Sequence, residues 1–171
     1  MLARIRELCL DDPAREVCGV VILHKALGTV SVVPVPNIVT APSAVVEFTM
    51  DPVIWYQAQR ALRQGRSDDH EIVYRFHSHP LGIAWPSMTD IGAATYPQRE
   101  IIYSNSFNTF FCYAPEGYAG PTEFSRGPVV GENERAEVTV CELTEYTQTL
   151  TSDYGTNNKY EDFSDWSRRY R

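Results

Sequence analysis

Residues 1–10 set Ile5, Leu8 and Cys9 among charged positions, the spacing of a short amphipathic helix, and Asp11-Asp12-Pro13 breaks it. Two β-branched runs follow, Val17 to Leu23 and Thr29 to Val35, on either side of Lys25-Ala26-Leu27-Gly28, and together they predict a hairpin. The first run is apolar on both faces, as in a strand with neighbours on each side. Asp51 is placed to cap a helix with Pro52 at its first position, and Ile54, Ala58, Ala61 and Leu62 repeat on one face until Gly65. A loop at Ser67-Asp68-Asp69-His70 leads into Glu71 to His77, a strand by its β-branched and aromatic content.

After Pro86, a third helix is expected from Ser87 through about Thr95, stopped by Pro97. Strand-like runs follow near 100–104, 108–113 and 137–142. From Ser152 the chain turns polar, yet Tyr160, Phe163, Trp166 and Tyr170 recur at about one aromatic per helical turn, which predicts a docked C-terminal helix. Strands and helices interleave without repeats, so the expected class is α+β with a mixed sheet. The expected division is one domain over 1–143 and an extension over 144–171 that docks or binds a partner.

Composition narrows the function classes. The chain has 171 residues, enough for one domain with a real core, and its 43% hydrophobic and 22% charged content is that of a folded protein. A net charge of −7 argues against nucleic acid as a partner, because phosphate binding rests on clustered Lys and Arg. No apolar run approaches the roughly 20 residues that span a bilayer, and the charged start, Arg4-Ile5-Arg6-Glu7, does not form a secretory core. The expected location is therefore the cytoplasm. Cys9, Cys18, Cys112 and Cys141 lie far apart with no Cys-x-x-Cys pair, so buried free thiols are expected in a reducing compartment.

The candidate chemistry begins with His77-Ser78-His79. Two imidazoles at i and i+2 of a strand leave the same face and can share one ion. Pro80, Gly82 and Pro86 let the chain turn back and offer the carboxylate of Asp90 as a third ligand. Two imidazoles, one carboxylate and an open position form the usual donor set of a catalytic zinc site. Peptide hydrolysis also needs a proton shuttle to the leaving nitrogen. Glu16, an acid where a loop enters an apolar strand, is the candidate, and Ser87 could aim its hydroxyl at the developing oxyanion. Each residue also has an ordinary explanation. The histidines could sit at the surface, Glu16 could form an ion pair, and Ser87-x-x-Asp90 is also the pattern of a helix cap.

Taken together, Glu16-x-Cys18-Gly19, His77-Ser78-His79-Pro80 and Pro86-Ser87-x-x-Asp90 resemble the signature of the JAMM (MPN-plus) metallopeptidases. Its spacing is His-x-His, seven residues, Ser, two residues, Asp, and Pro80 to Pro86 number seven. Asn37, Phe48 and the helix after Asp51 resemble the segment between the Glu and the histidines in bacterial members. The resemblance covers about residues 1–142. It implies a curved mixed sheet flanked by helices, similar to cytidine deaminase. One Zn2+ per chain would be held by His77, His79 and Asp90, with Glu16 as general acid and base and Ser87 as oxyanion support.

The activity implied is cleavage after the C-terminal glycine of a ubiquitin-like protein or its conjugates, as in bacterial conjugation or antiphage operons. Alternatives are processing of a sulfur-carrier protein, a role in phage tail assembly, or a non-catalytic MPN scaffold that presents the aromatic extension. The sequence leaves oligomeric state open. Trp85 is expected to anchor its loop rather than face substrate.

Overall fold

The computed structural model describes residues 1–40, 42–64, 69–94, 98–114, 122–126, 137–141 and 147–148, the backbone alone being described at 61–64 and from 122 onward. Helix α1 (Leu2–Asp11) turns Ile5, Leu8 and Cys9 inward, the face its spacing predicts. Strands β1 (Cys18–His24) and β2 (Thr29–Val35) form the expected hairpin, paired from Cys18 with Val35 to His24 with Thr29. Gly28 takes φ +63° at the turn, a left-handed conformation that favours glycine. Helix α2 (Pro52–Gln64) starts where Asp51 caps the backbone amides of Val53 and Ile54.

Strand β3 (His70–His79) is followed by α3 (Met88–Ala93), β4 (Arg99–Ser104) and β5 (Thr109–Ala114). Short strands β6 (Thr122–Arg126), β7 (Glu137–Cys141) and β8 (Thr147–Gln148) complete the described elements. The sheet runs β6-β7-β5-β4-β3-β1-β2-β8. β3 pairs antiparallel with β1 and parallel with β4, so the fold is α+β around a mixed sheet, as expected. The register of β1 against β3 shifts between Val21 and Ile22, and such a bulge bends a strand locally. Strands β6 and β8 were not foreseen, the third helix ends at Ala93, and the predicted helix over 152–171 lies outside the described residues.

Alternation along the strands divides the core into two layers. On one face α1 packs on Val21, Tyr74, Phe76, Ile101 and Tyr103. On the other, Ile54, Trp55 and Ala58 of α2 cover Val20, Ile22, Val33 and Ile72. Trp85, Ile102 and Tyr113 form a third cluster on this second face, with Ile91 and Ala94 packed against it. Trp85 is therefore a loop anchor, its ring 4.6 Å from that of Phe111. Gly19 leaves room where β1, β2 and β3 meet, since a β-carbon there would stand 2.4 Å from the Val33 carbonyl oxygen and 2.5 Å from Phe76 Cζ. Cys9, Cys18 and Cys112 are buried free thiols, as expected. Among the described residues no helix is long and apolar enough to cross a membrane.

Candidate metal centre

The period of two that sorts the core also aims the histidines. Tyr74, Phe76 and Ser78 face α1, so His77 and His79 emerge on the opposite face, at the end of β3. The strand is held to its last residue: the Ser78 amide donates to the Val17 carbonyl at 2.9 Å, and the Asn105 amide donates to the His79 carbonyl at 3.1 Å. Ser78 Oγ also accepts from the Val17 amide at 2.9 Å. The serine between the histidines thus fixes the segment that carries Glu16.

Ser87 caps α3 and orients Asp90. Its hydroxyl accepts from the Asp90 amide at 3.1 Å and donates to Asp90 Oδ2 at 2.7 Å, while its own amide donates to the same oxygen at 2.7 Å. This is a complete capping box built on aspartate, so the structural explanation offered by the sequence applies. It also turns the Asp90 carboxylate toward the histidines. His77 Nε2 and His79 Nε2 stand 3.1 Å apart, and they lie 3.3 Å and 3.5 Å from Asp90 Oδ1 and Oδ2. One donor atom from each of the three residues falls within 4.8 Å of the others.

Those separations test whether the residues suit an ion. Ligands about 2.0–2.1 Å from a tetrahedral zinc stand about 3.3 Å apart, close to each of these separations, the two to Asp90 ending on its two different oxygens. The tautomer agrees as well. His79 Nδ1 lies 2.8 Å from the Ile83 carbonyl, which can only accept, so Nδ1 carries the proton and Nε2 presents its lone pair to the site. Phe48 stacks on the His77 ring at 4.5 Å and closes one side of the site. His77 Nδ1 is buried without a hydrogen-bond partner among the described residues. Lone pairs converging on one point repel each other unless shared protons or a cation sit between them. The donor set fits one.

The charges respond to this crowding. Burial lowers the His77 pKa, outweighing the bond to Asp90 that raises it. His79 moves the other way, because Asp90 and the Ile83 carbonyl overcome its burial. Burial pushes Asp90 up, but hydrogen bonds from His77, His79 and Ser87 hold it well below the usual carboxylate range. Glu16 is buried, and desolvation raises its carboxyl to about 8, opposed by His79 and reinforced by Asp90 and Glu47. Its amide donates to the Ala44 carbonyl at 2.6 Å, and its carbonyl accepts from Asn37 Nδ2 at 2.9 Å. Asn37 also accepts from the amides of Val39 and Thr49, tying the loop over residues 37–49 to the acid.

All five residues singled out in the sequence thus meet at one end of the sheet. The Ile83 carbonyl was not legible, because a backbone acceptor leaves no mark on residue type.

A mixed sheet in an α+β fold thus carries at one end two histidines and an aspartate that could hold a metal ion, beside a buried glutamate. Residues 1–114 match the family described as prokaryotic homologs of the JAB domain, and the chain belongs to that family. It is 33% identical over 98 residues to a desampylase of Haloferax volcanii, covering 57% of this chain and 67% of that one. Two solution structures are similar to part of this chain. A protein from Desulfitobacterium hafniense has 22% identity and a TM-score of 0.49, covering 66% of this chain and 76% of the other. One from Salinibacter ruber has 24% identity and a TM-score of 0.42 over the same shares.

Proposed function

We propose that this chain is a zinc-dependent peptidase that cuts after the C-terminal glycine of a ubiquitin-like protein, at a peptide or isopeptide bond. The observation that carries the metal reading is the convergence of His77 Nε2, His79 Nε2 and the Asp90 carboxylate, the two nitrogens 3.1 Å apart and lying 3.3 Å from Asp90 Oδ1 and 3.5 Å from Asp90 Oδ2 respectively. When bound there, zinc supplies a water of pKa near ~7 and polarises the scissile carbonyl.

The chain's residues do the rest. Glu16 takes a proton from the attacking water and gives it to the leaving nitrogen, a role suited to a buried carboxyl whose proton affinity burial raises in the metal-free chain. A cavity of about 240 Å³ is lined by Glu16 together with Arg15, Cys18, Pro34 and Asn37. Ser87 supports the oxyanion once its hydroxyl turns from Asp90 Oδ2. Similarity to a desampylase agrees with a ubiquitin-like substrate, and the complete donor set weighs against a non-catalytic scaffold.

The test is a panel of ubiquitin-like proteins, each fused through its C-terminal glycine to a reporter and incubated with the zinc-loaded chain. Cleavage at the glycine, lost in Glu16→Ala while zinc stays bound, is the expected result. A chain that binds zinc yet leaves every tail intact would refute the substrate, and a chain that binds no zinc would refute the enzyme.

A further inference from the structure

Each of the two strands beside the site carries a charge against apolar neighbours: Arg75 in Val73-Tyr74-Arg75-Phe76, and Glu100 between Arg99 and Ile101-Ile102. They are direct partners in the parallel register of β3 and β4. Arg75 lies two residues before His77, so it shares the face of both histidines. Glu100 is buried, and its Oε1 accepts from Arg75 Nε at 2.6 Å. Nη2 of the same guanidinium also touches Glu100 Oε1 and donates to the carbonyl of Ala93, the last residue of α3, at 2.8 Å, so one nitrogen joins sheet and helix.

Helix α3 depends on such ties. It has six residues, and none of them is fully buried. Its apolar contacts are Ile91, with Ala94 just beyond its end, against the cluster of Trp85, Ile102 and Tyr113. The Ser87 capping box fixes its first turn. Arg75 fixes its last, and Asp90 lies between them. The guanidinium is planar and rigid, so a bond to Glu100 in the sheet and a bond to Ala93 in the helix set the height of the helix above the histidine strand.

We propose that Arg75, anchored by Glu100, is a positioning residue for the metal: it holds α3 at the distance at which Asp90 meets His77 and His79. This rests on the metal reading above. Arg75 touches neither ion nor substrate in this role; it presets the third ligand. Supports of this kind typically change metal affinity 10- to 100-fold.

The experiment titrates the full chain with Co2+, read by the visible absorption that reports ligand number and geometry, and with Zn2+ against a chromophoric chelator. Removing Arg75 alone would strand Glu100 in the core, so the first variant is the paired Arg75→Met/Glu100→Met, which replaces a covered ion pair by apolar groups of similar length and is expected to fold. It is expected to melt within a few degrees of wild type, to bind Zn2+ about 10- to 100-fold more weakly, and to give a Co2+ spectrum of altered intensity. The second variant, Arg75→Lys, keeps the charge beside Glu100 but cannot span to Ala93 as well, and the same weakening is expected. Wild-type affinity and spectrum in either folded variant overturn the inference, and if the pair does not fold, Arg75→Lys decides. Failure of the wild-type chain to bind either metal overturns the metal reading itself, a separate result.

Discussion

Replacing Ser87 with alanine separates two roles for one hydroxyl. That hydroxyl accepts from the Asp90 amide at 3.1 Å and donates to Asp90 Oδ2 at 2.7 Å. Loss of a serine cap costs about 1 kcal/mol, and a hydrogen bond to a charged acceptor contributes about 1.5–3 kcal/mol. Both rest on one oxygen, and the Ser87 amide still holds Oδ2, so the combined loss is expected near 2 kcal/mol rather than at the sum. For a chain of this size that corresponds to a fall of roughly 4–8 °C in the melting temperature. Metal affinity should fall with it, because Asp90 loses part of its orientation.

Circular dichroism melts of the metal-free chain and zinc competition measure these two effects directly. An oxyanion role predicts something different: a loss of about 10²- to 10³-fold in kcat at saturating zinc, beyond what weaker metal binding explains. Ser87→Thr, which keeps the hydroxyl, should recover most of the stability. If Ser87→Ala melts with wild type and binds zinc equally well, the capping box does not orient Asp90, and the reasoning about α3 fails.

Further expectations follow from other parts of the site and core. Glu16→Gln should keep zinc affinity but reduce cleavage about 10²- to 10⁴-fold; a variant that turns over normally would remove Glu16 from the mechanism. In the metal-free chain, burial raises Glu16 from 4.5 to about 8, so the fold keeps a proton that the unfolded chain releases. The stability this contributes is complete below about pH 4.5 and lost as pH rises through about 8. Denaturant melts in chelator should therefore fall more steeply across that window for wild type than for Glu16→Gln, and parallel curves would contradict the burial argument. Gly19→Ala places a methyl 2.4 Å from the Val33 carbonyl oxygen, which the β1–β2 ladder holds, and should cost about 1–3 kcal/mol by chemical denaturation. A neutral result would mean that the hairpin yields more easily than its pairing suggests.

Much of this was legible because residue type and spacing carry it. The hairpin, the Asp51 cap and the Ser87 cap are local events, written in turn residues and periodicity, and the structure places them at the expected residues. Glu16 stood out as an acid leading into an apolar strand, and the structure buries it. Relations between distant strands were harder to see. Arg75 and Glu100 are 25 residues apart, and only the parallel register of β3 and β4 makes them partners. The signal was present as Arg75 between Tyr74 and Phe76 and as Glu100 leading into Ile101-Ile102, but Glu100 already has Arg99 beside it in sequence, and without the register neither could be assigned to the other. Phe48 needed still more, since its stacking on His77 depends on where the loop over residues 37–49 returns to the sheet.

The three candidate ligands are not held with equal strength. His77 and His79 belong to a strand with hydrogen-bonded neighbours on both sides, so freeing them means parting the sheet. Asp90 rides on six residues secured by a serine at one end and an arginine at the other. Local opening concentrates where buried contacts are few. Of the three candidate ligands, Asp90 is therefore the one that a local opening would release first, with both imidazoles kept in the sheet.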